Sequence, residues 1–332
     1  MLSLLIIKNL ALIIGLGILI ILSLSLLIKT MNGWFLLKRK DLSLFQVKNN
    51  DRVMFIAPHP DDEILAAGGL LTSLLKNSIP TKFIYLTCGD SNPSLFWRDK
   101  KIKFSPAKFI QTGIERKQEA ETAIKILGGS KKDLVFLGYP DHHLWQMWLK
   151  PKINIVSSTT LLNHSPYDFT FKKHRHYKGD NILNDLNELI KEFQPTIILC
   201  PHLKETNFDH RASSLFVKKS IKEINWSGKL YHYLIHYKYL RLFRVYPPKN
   251  LLKKKEKILY PPYSLWKKNK WFSFWLLPDQ LKIKKMALQK YESQRMVPTL
   301  NWLFKSFSAQ NEIFQIIDYS SGSSKRKFFT RS

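Results

Sequence analysis

Four times between residues 53 and 202 a short, unbroken apolar run stops in a polar cluster. VMFIA runs into PHPDDE, TKFIYLT into CGDSN, DLVFLG into YPDHH, and TIILC into PHLKETNFDH. Runs of this length and continuity suit strands buried on both faces. Stretches of helical periodicity accompany them: DEILAAGGLLTSLLKN (62–77), IERKQEAETAIKILGG (114–129), NILNDLNELIKEFQP (181–195) and DHRASSLFVKKSIKEI (209–224). KLYHYLIHY (229–237) reads as a further strand. The alternation predicts an α/β, Rossmann-like fold, a mostly parallel sheet with helices on both faces. Ligands in such folds sit at the carboxyl ends of the strands, where all four polar clusters fall.

The first cluster places Asp61, Asp62 and Glu63 directly after a buried run, which is costly unless a cation sits among them. His59, Asp61 and Asp62 are placed to surround one divalent ion, although acids in a first helical turn also cap backbone N–H groups. NFDHRA (207–212) opens a helix after the fourth run and offers His210 as a third ligand from a neighbouring strand end. Three His and carboxylate ligands with one open position make up a catalytic zinc site. A glycosyltransferase holding Mg²⁺ and a nucleotide diphosphate fits less well, because Mg²⁺ prefers oxygen ligands.

The N-terminus carries a different signal. NLALIIGLGILIILSLSLLI (9–28) is uncharged over 20 residues between Lys8 and Lys29, about the length a helix needs to cross a bilayer. No small-x-small cleavage site follows it, which argues for an uncleaved anchor. Lys29, Lys38, Arg39 and Lys40 follow the span, so the positive-inside rule predicts a single-pass membrane protein with a cytoplasmic catalytic domain. Lys and Arg number 53 against 25 Asp and Glu, a net charge of +28 that suits an anionic membrane lipid surface or reflects a Lys-rich composition. With an anchor in place, nucleic acid is not an expected partner. Cys88 and Cys200 are the only cysteines and make no disulfide framework. The expected organisation is an N-terminal flank (1–8), an anchor (9–29), a juxtamembrane linker (30–50), a catalytic domain (51–318) with a basic and aromatic insertion (247–278), and a basic tail (319–332).

APHPDDE, with a later DHRA at a helix start, resembles the PIG-L/LmbE-like family of zinc-dependent de-N-acetylases, which includes N-acetylglucosaminyl-phosphatidylinositol de-N-acetylase. TCGD, the helix with Arg116 and Glu119 that ends in LGG, LGYPD, CPH and the late KMALQKYESQ (285–294) recur in family order, so the resemblance covers about residues 50 to 318. It implies His59, Asp62 and His210 as ligands of zinc, or of another divalent metal, and Asp61 as general base and then acid. It implies hydrolysis of an N-acetylated amino sugar to acetate and a free amine; with an anchored chain, that sugar is expected to be lipid-linked or part of an envelope glycan. Asn207 stands where the family often has a histidine and is the candidate oxyanion contact. Arg98, Arg116, Asp141, His142 and His202 are candidate substrate contacts. The alternative expectation is a catalytically degenerate deacetylase fold that binds anionic lipid or polysaccharide at the membrane.

Overall fold

The computed structural model describes residues 2–37, 42–92, 94, 103–240, 243–246, 257–266 and 270–318. The chain divides into two compact units, Met1–Leu42 with Tyr260–Lys268, and Ser43–Leu259 with Asn269–Ser332. The first holds the long helix α1 (Leu2–Leu37) and a short helical turn at Tyr263–Trp266.

The membrane expectation is corrected here. Among the described residues no helix is long and apolar enough to cross a membrane. The single-pass anchor over 9–29 and the cytoplasmic placement derived from it are therefore not retained. Lys38, Arg39 and Lys40, on which the orientation rested, lie outside the described residues.

The second unit is built on an eight-stranded sheet of mixed direction. Its parallel part begins with β2 (Val53–Ala57), which has β3 (Thr81–Thr87) on one side and β5 (Ile197–Pro201) on the other. β4 (Leu134–Tyr139) continues beyond β3, and β6 (Lys229–Tyr233) beyond β5. Two antiparallel pairings, β6 with β8 (Asn311–Asp318) and β8 with β7 (Trp271–Trp275), extend the sheet, and the two-residue β1 (Ser43–Leu44) closes that edge. The chain thus builds outward from β2 in one direction and then restarts on its other flank. The gap between β2 and β5 is a topological switch point, where helices leave in opposite directions and open a crevice.

Both faces are covered, which is why the strands read as continuous apolar runs. On one face Met54, Ile56, Ile84, Leu86, Ile198 and Cys200 form a common core with α4 (Leu144–Leu149), α5 (Gly179–Phe193) and α6 (Phe208–Glu223). α2 (Asp62–Lys76), α3 (Pro106–Leu127) and α7 (Pro278–Leu288) pack on one another, and Phe55 stacks on Tyr233 and Tyr85 on Phe136.

Two local features depart from simple periodicity. α2 is bent at Ala67, and the N–H groups of Gly69 and Leu70 donate instead to the buried Glu312 carboxylate, each at 2.8 Å. Lys284 Nζ completes this arrangement, donating to Glu312 at 2.7 Å and to the Leu65 carbonyl at 3.0 Å. A Cβ on Gly69 would meet Leu276 at 2.3 Å, so the bend needs glycine there. The stretch KLYHYLIHY is not one strand. β6 stops at Tyr233, and the next N–H groups, of Ile235 and His236, turn away from the sheet to the Glu205 carboxylate, each at 2.5 Å.

Candidate active site

At the mouth of the switch point the HPDDE segment turns from β2 into α2. Asp61 adopts φ +123°, a conformation L residues rarely take and one that persists only where the surroundings impose it. Its carbonyl accepts from the N–H groups of Ile64 and Leu65 at 3.2 and 3.0 Å, and its own N–H donates to Glu63 Oε2 at 3.1 Å. Arg116 of α3 fixes the turn from outside. Its Nη2 donates to the Pro60 carbonyl at 2.5 Å and to Asp61 Oδ2 at 3.1 Å, and its Nη1 to the Gly89 carbonyl at 3.1 Å.

This turn brings His59 and Asp62 against His210 in the first turn of α6. Ligand atoms of the three buried residues lie within 4.8 Å of one another. His59 Nδ1 is 3.5 Å from Asp62 Oδ2, and His210 Nε2 is 3.4 Å from Asp62 Oδ1. Both ring nitrogens of His210 are buried without a hydrogen-bond partner among the described residues, a cost that metal ligation would offset. The donor set, two imidazoles and a carboxylate, suits a zinc-type ion.

His59, Asp141 and Asp209 form a second group of the same span. Asp209 accepts from the N–H groups of His142 and Leu144 at 2.6 and 3.1 Å, and Asp141 accepts from the Ser91 N–H at 3.1 Å. His59 Nε2 lies between them, 3.1 Å from Asp141 and 3.4 Å from Asp209. Carboxylates on the far nitrogen of an imidazole orient its ring and raise its basicity, which suits Asp141 and Asp209 to a supporting role.

Charge separates the two neighbouring acids. Burial raises Asp61, and Asp62 and Glu63 add to that against the pull of Arg116, so its carboxyl titrates well above the ordinary range. Asp62 is buried too, but His210 and His59 hold it down at about 2. Carboxyls pushed apart in this way take different roles, one able to carry a proton and one permanently anionic. Burial works against charge on His59, yet Asp141, Asp209 and Asp62 together raise it; for His210 burial prevails and lowers it.

A cavity of about 360 Å³ opens over this group. His59, Asp61, Asp62, Arg116, Asp141, His142 and Asn207 all line it. His202 does not; its ring packs against Trp271 and His232 instead. Arg98 lies outside the described residues. Asn207 is the N-cap of α6, its Oδ1 accepting from the N–H groups of Asp209 at 2.8 Å and His210 at 3.4 Å. Sequence reasoning missed His236, Asn92, Gln294 and an apolar wall of Leu65, Ile235, Val297, Leu300 and Leu303. Asn92 Nδ2 donates to Gln294 Oε1 at 2.7 Å, pairing the end of the TCGDSN cluster with the end of KMALQKYESQ. The recurrence of those two segments was the available signal; nothing in the sequence marked His236.

The sequence profile described as GlcNAc-PI de-N-acetylase, PIG-L, matches residues 54–221. A probable N-acetyl-alpha-D-glucosaminyl L-malate deacetylase 2 of Bacillus anthracis is 29% identical over 103 residues, 30% of this chain and 40% of that protein. An N,N'-diacetylchitobiose deacetylase from Pyrococcus horikoshii superposes with a TM-score of 0.47 at 16% identity, over 82% of this chain and 88% of its own. A 4-carboxy-2-hydroxymuconate hydratase from Pseudomonas putida gives 0.46 at 14% identity, over 80% and 96%.

Proposed function

The chain belongs to the PIG-L family, the GlcNAc-PI de-N-acetylases, which are metal-dependent hydrolases, and from that membership we propose that it removes the acetyl group from an N-acetylated amino sugar. The observation that carries this reading is the juxtaposition of His59, Asp62 and His210 within 4.8 Å, beside Asp61 on the wall of one cavity.

His59, Asp62 and His210 would hold the metal, and their nitrogen and oxygen donors favour zinc. Bound there, zinc would polarise the acetamide carbonyl and lower the pKa of a water toward ~7. Asp61 is the general base. Its raised pKa suits a group that takes the proton of the attacking water and then delivers it to the nitrogen as the C–N bond breaks. Arg116, 3.1 Å away, keeps that carboxyl in place through the exchange. Acetate and a free amine leave. Asn92, Gln294 and His142 supply polar contacts for sugar hydroxyls, while Val297, Leu300 and Leu303 offer an apolar surface. That surface favours a substrate whose sugar carries a lipid or other apolar aglycone over a free monosaccharide.

The test is acetate release by the full chain from N-acetylglucosamine, free and lipid-linked, with zinc content measured in parallel. The reading expects acetate release, faster from the lipid-linked sugar, and an Asp61→Asn variant slower by ~10²–10⁴-fold with its zinc retained. Absence of both acetate release and bound metal would instead favour a chain that only binds glycans.

A further inference from the structure

Asn207 lines the cavity, and its Oδ1 accepts from the N–H groups of Asp209 and His210, so only its Nδ2 can donate. A hydrolysis of the kind proposed above needs hydrogen-bond donors aimed at the carbonyl oxygen as that oxygen gains charge, and one amide donor is a weak provision for it.

A second imidazole is built into the same wall. His236 lines the cavity from the turn after β6, and its ring centroid lies 4.8 Å from that of His210, with planes at 76°. Its backbone is clamped at both ends. The His236 N–H donates to Glu205 Oε2 at 2.5 Å, and its carbonyl accepts from both the N–H and the hydroxyl of Thr206 at 2.7 Å. Glu205 is 2% exposed, and its two oxygens are taken by the Ile235 and His236 N–H groups. Burying a carboxylate to hold a turn of a few residues is expensive. The effect is to lock the turn bearing His236 to residues 205 and 206, directly before Asn207 and the helix that carries His210. The two histidines therefore cannot drift apart independently.

We propose that His236 donates a hydrogen bond that stabilises the oxyanion from this wall of the cavity. The role asks only for a ring N–H, which neutral and charged imidazole both carry, and no proton is transferred. His236 is thus a catalytic residue rather than a support for the ligand beside it. The proposal rests on the deacetylase reading.

The experiment compares wild type, His236→Ala and His236→Gln as full chains on an N-acetyl amino sugar. Calorimetry of two ligands accompanies the kinetics: a methylphosphonamidate in which tetrahedral phosphorus replaces the acetyl carbon, and the free amine product. His236→Ala should lose ~10²–10³-fold in kcat with KM little changed, and bind the phosphonamidate more weakly by a similar factor. Binding of the amine and metal content should stay at wild-type levels, and His236→Gln, which keeps an N–H donor, should recover part of kcat. Unchanged kcat in His236→Ala beside an active wild type overturns the oxyanion role alone. So does an equal weakening of phosphonamidate and amine, or a loss of metal. A wild-type chain that releases no acetate overturns the deacetylase reading, and this role with it.

Discussion

Two groups of buried histidines lie at the carboxyl edge of the same sheet, and they differ in what surrounds them. His59 and His210 share their space with Asp62, Asp141 and Asp209, and His59 and Asp62 face a cavity. His202 and His232 lie with ring centroids 5.7 Å apart beside Trp271, and the groups acting on His202 are Gln315, Lys204 and Lys218, with no acid among them. Burial, with Lys204, Lys218 and His202 adding to it, drives this second pair toward neutrality, to about 4 for His202 and about 3 for His232. In the first group carboxylates oppose burial and raise His59. A buried histidine therefore says little by itself; the acids placed around it separate a reactive group from a packed one.

The largest contrast is expected from matched alanine variants. His210→Ala should abolish stoichiometric metal and reduce turnover by ~10³-fold or more, since the metal supplies several kcal/mol of transition-state stabilisation. His202→Ala should keep its metal, and elemental analysis of the two purified variants distinguishes them. Equal metal in both would remove the basis for treating the groups differently.

A smaller effect tests the orienting acids. Asp209→Asn keeps shape but loses one of two carboxylate oxygens that hold the His142 and Leu144 N–H groups and flank His59. Metal affinity, read by competition with a chelator, should fall by ~10–100-fold. An unchanged affinity would mean that the second carboxylate shell does not position His59.

The smallest effect on activity, and the clearest on stability, concerns His202. Its folded pKa of about 4 lies below the ordinary 6.5, so its contribution is complete above pH 6.5. It is lost as pH falls from 6.5 toward 4, because the unfolded chain binds a proton that the folded chain refuses. The loss is of order 3 kcal/mol. Thermal melts across that range should flatten in His202→Gln, while acetate release at neutral pH stays within about twofold of wild type. A wild-type melt with no acid slope would contradict the sealed, neutral state of this pair.

Much of the chemistry was written locally. HPDDE and DHRA place a histidine and a carboxylate at one strand end and a histidine at another, and the apolar runs between them have the length and continuity of buried strands. The short reach of those signals is also their limit. Helix α3 starts at Pro106, well before the periodicity at 114 becomes legible, and the predicted strand 229–237 breaks at Tyr233 because a glutamate from another loop takes its N–H groups. The apolar N-terminal run read as an anchor, yet among the described residues no helix is long and apolar enough to cross a membrane.

The sequence by itself determined the residue types that can bind a metal, and their order at strand ends, because strand and helix periods are local properties of the chain. Only the tertiary structure decided which of these groups meet. The switch between β2 and β5 brings His59 to His210 across some 150 residues. It excludes His202, one residue past β5, and it admits His236, which no motif announced. The reason is physical: hydrogen bonds from Glu205 and Thr206, and ion pairs from Asp141 and Asp209, act through space, where sequence separation costs nothing once the sheet has formed.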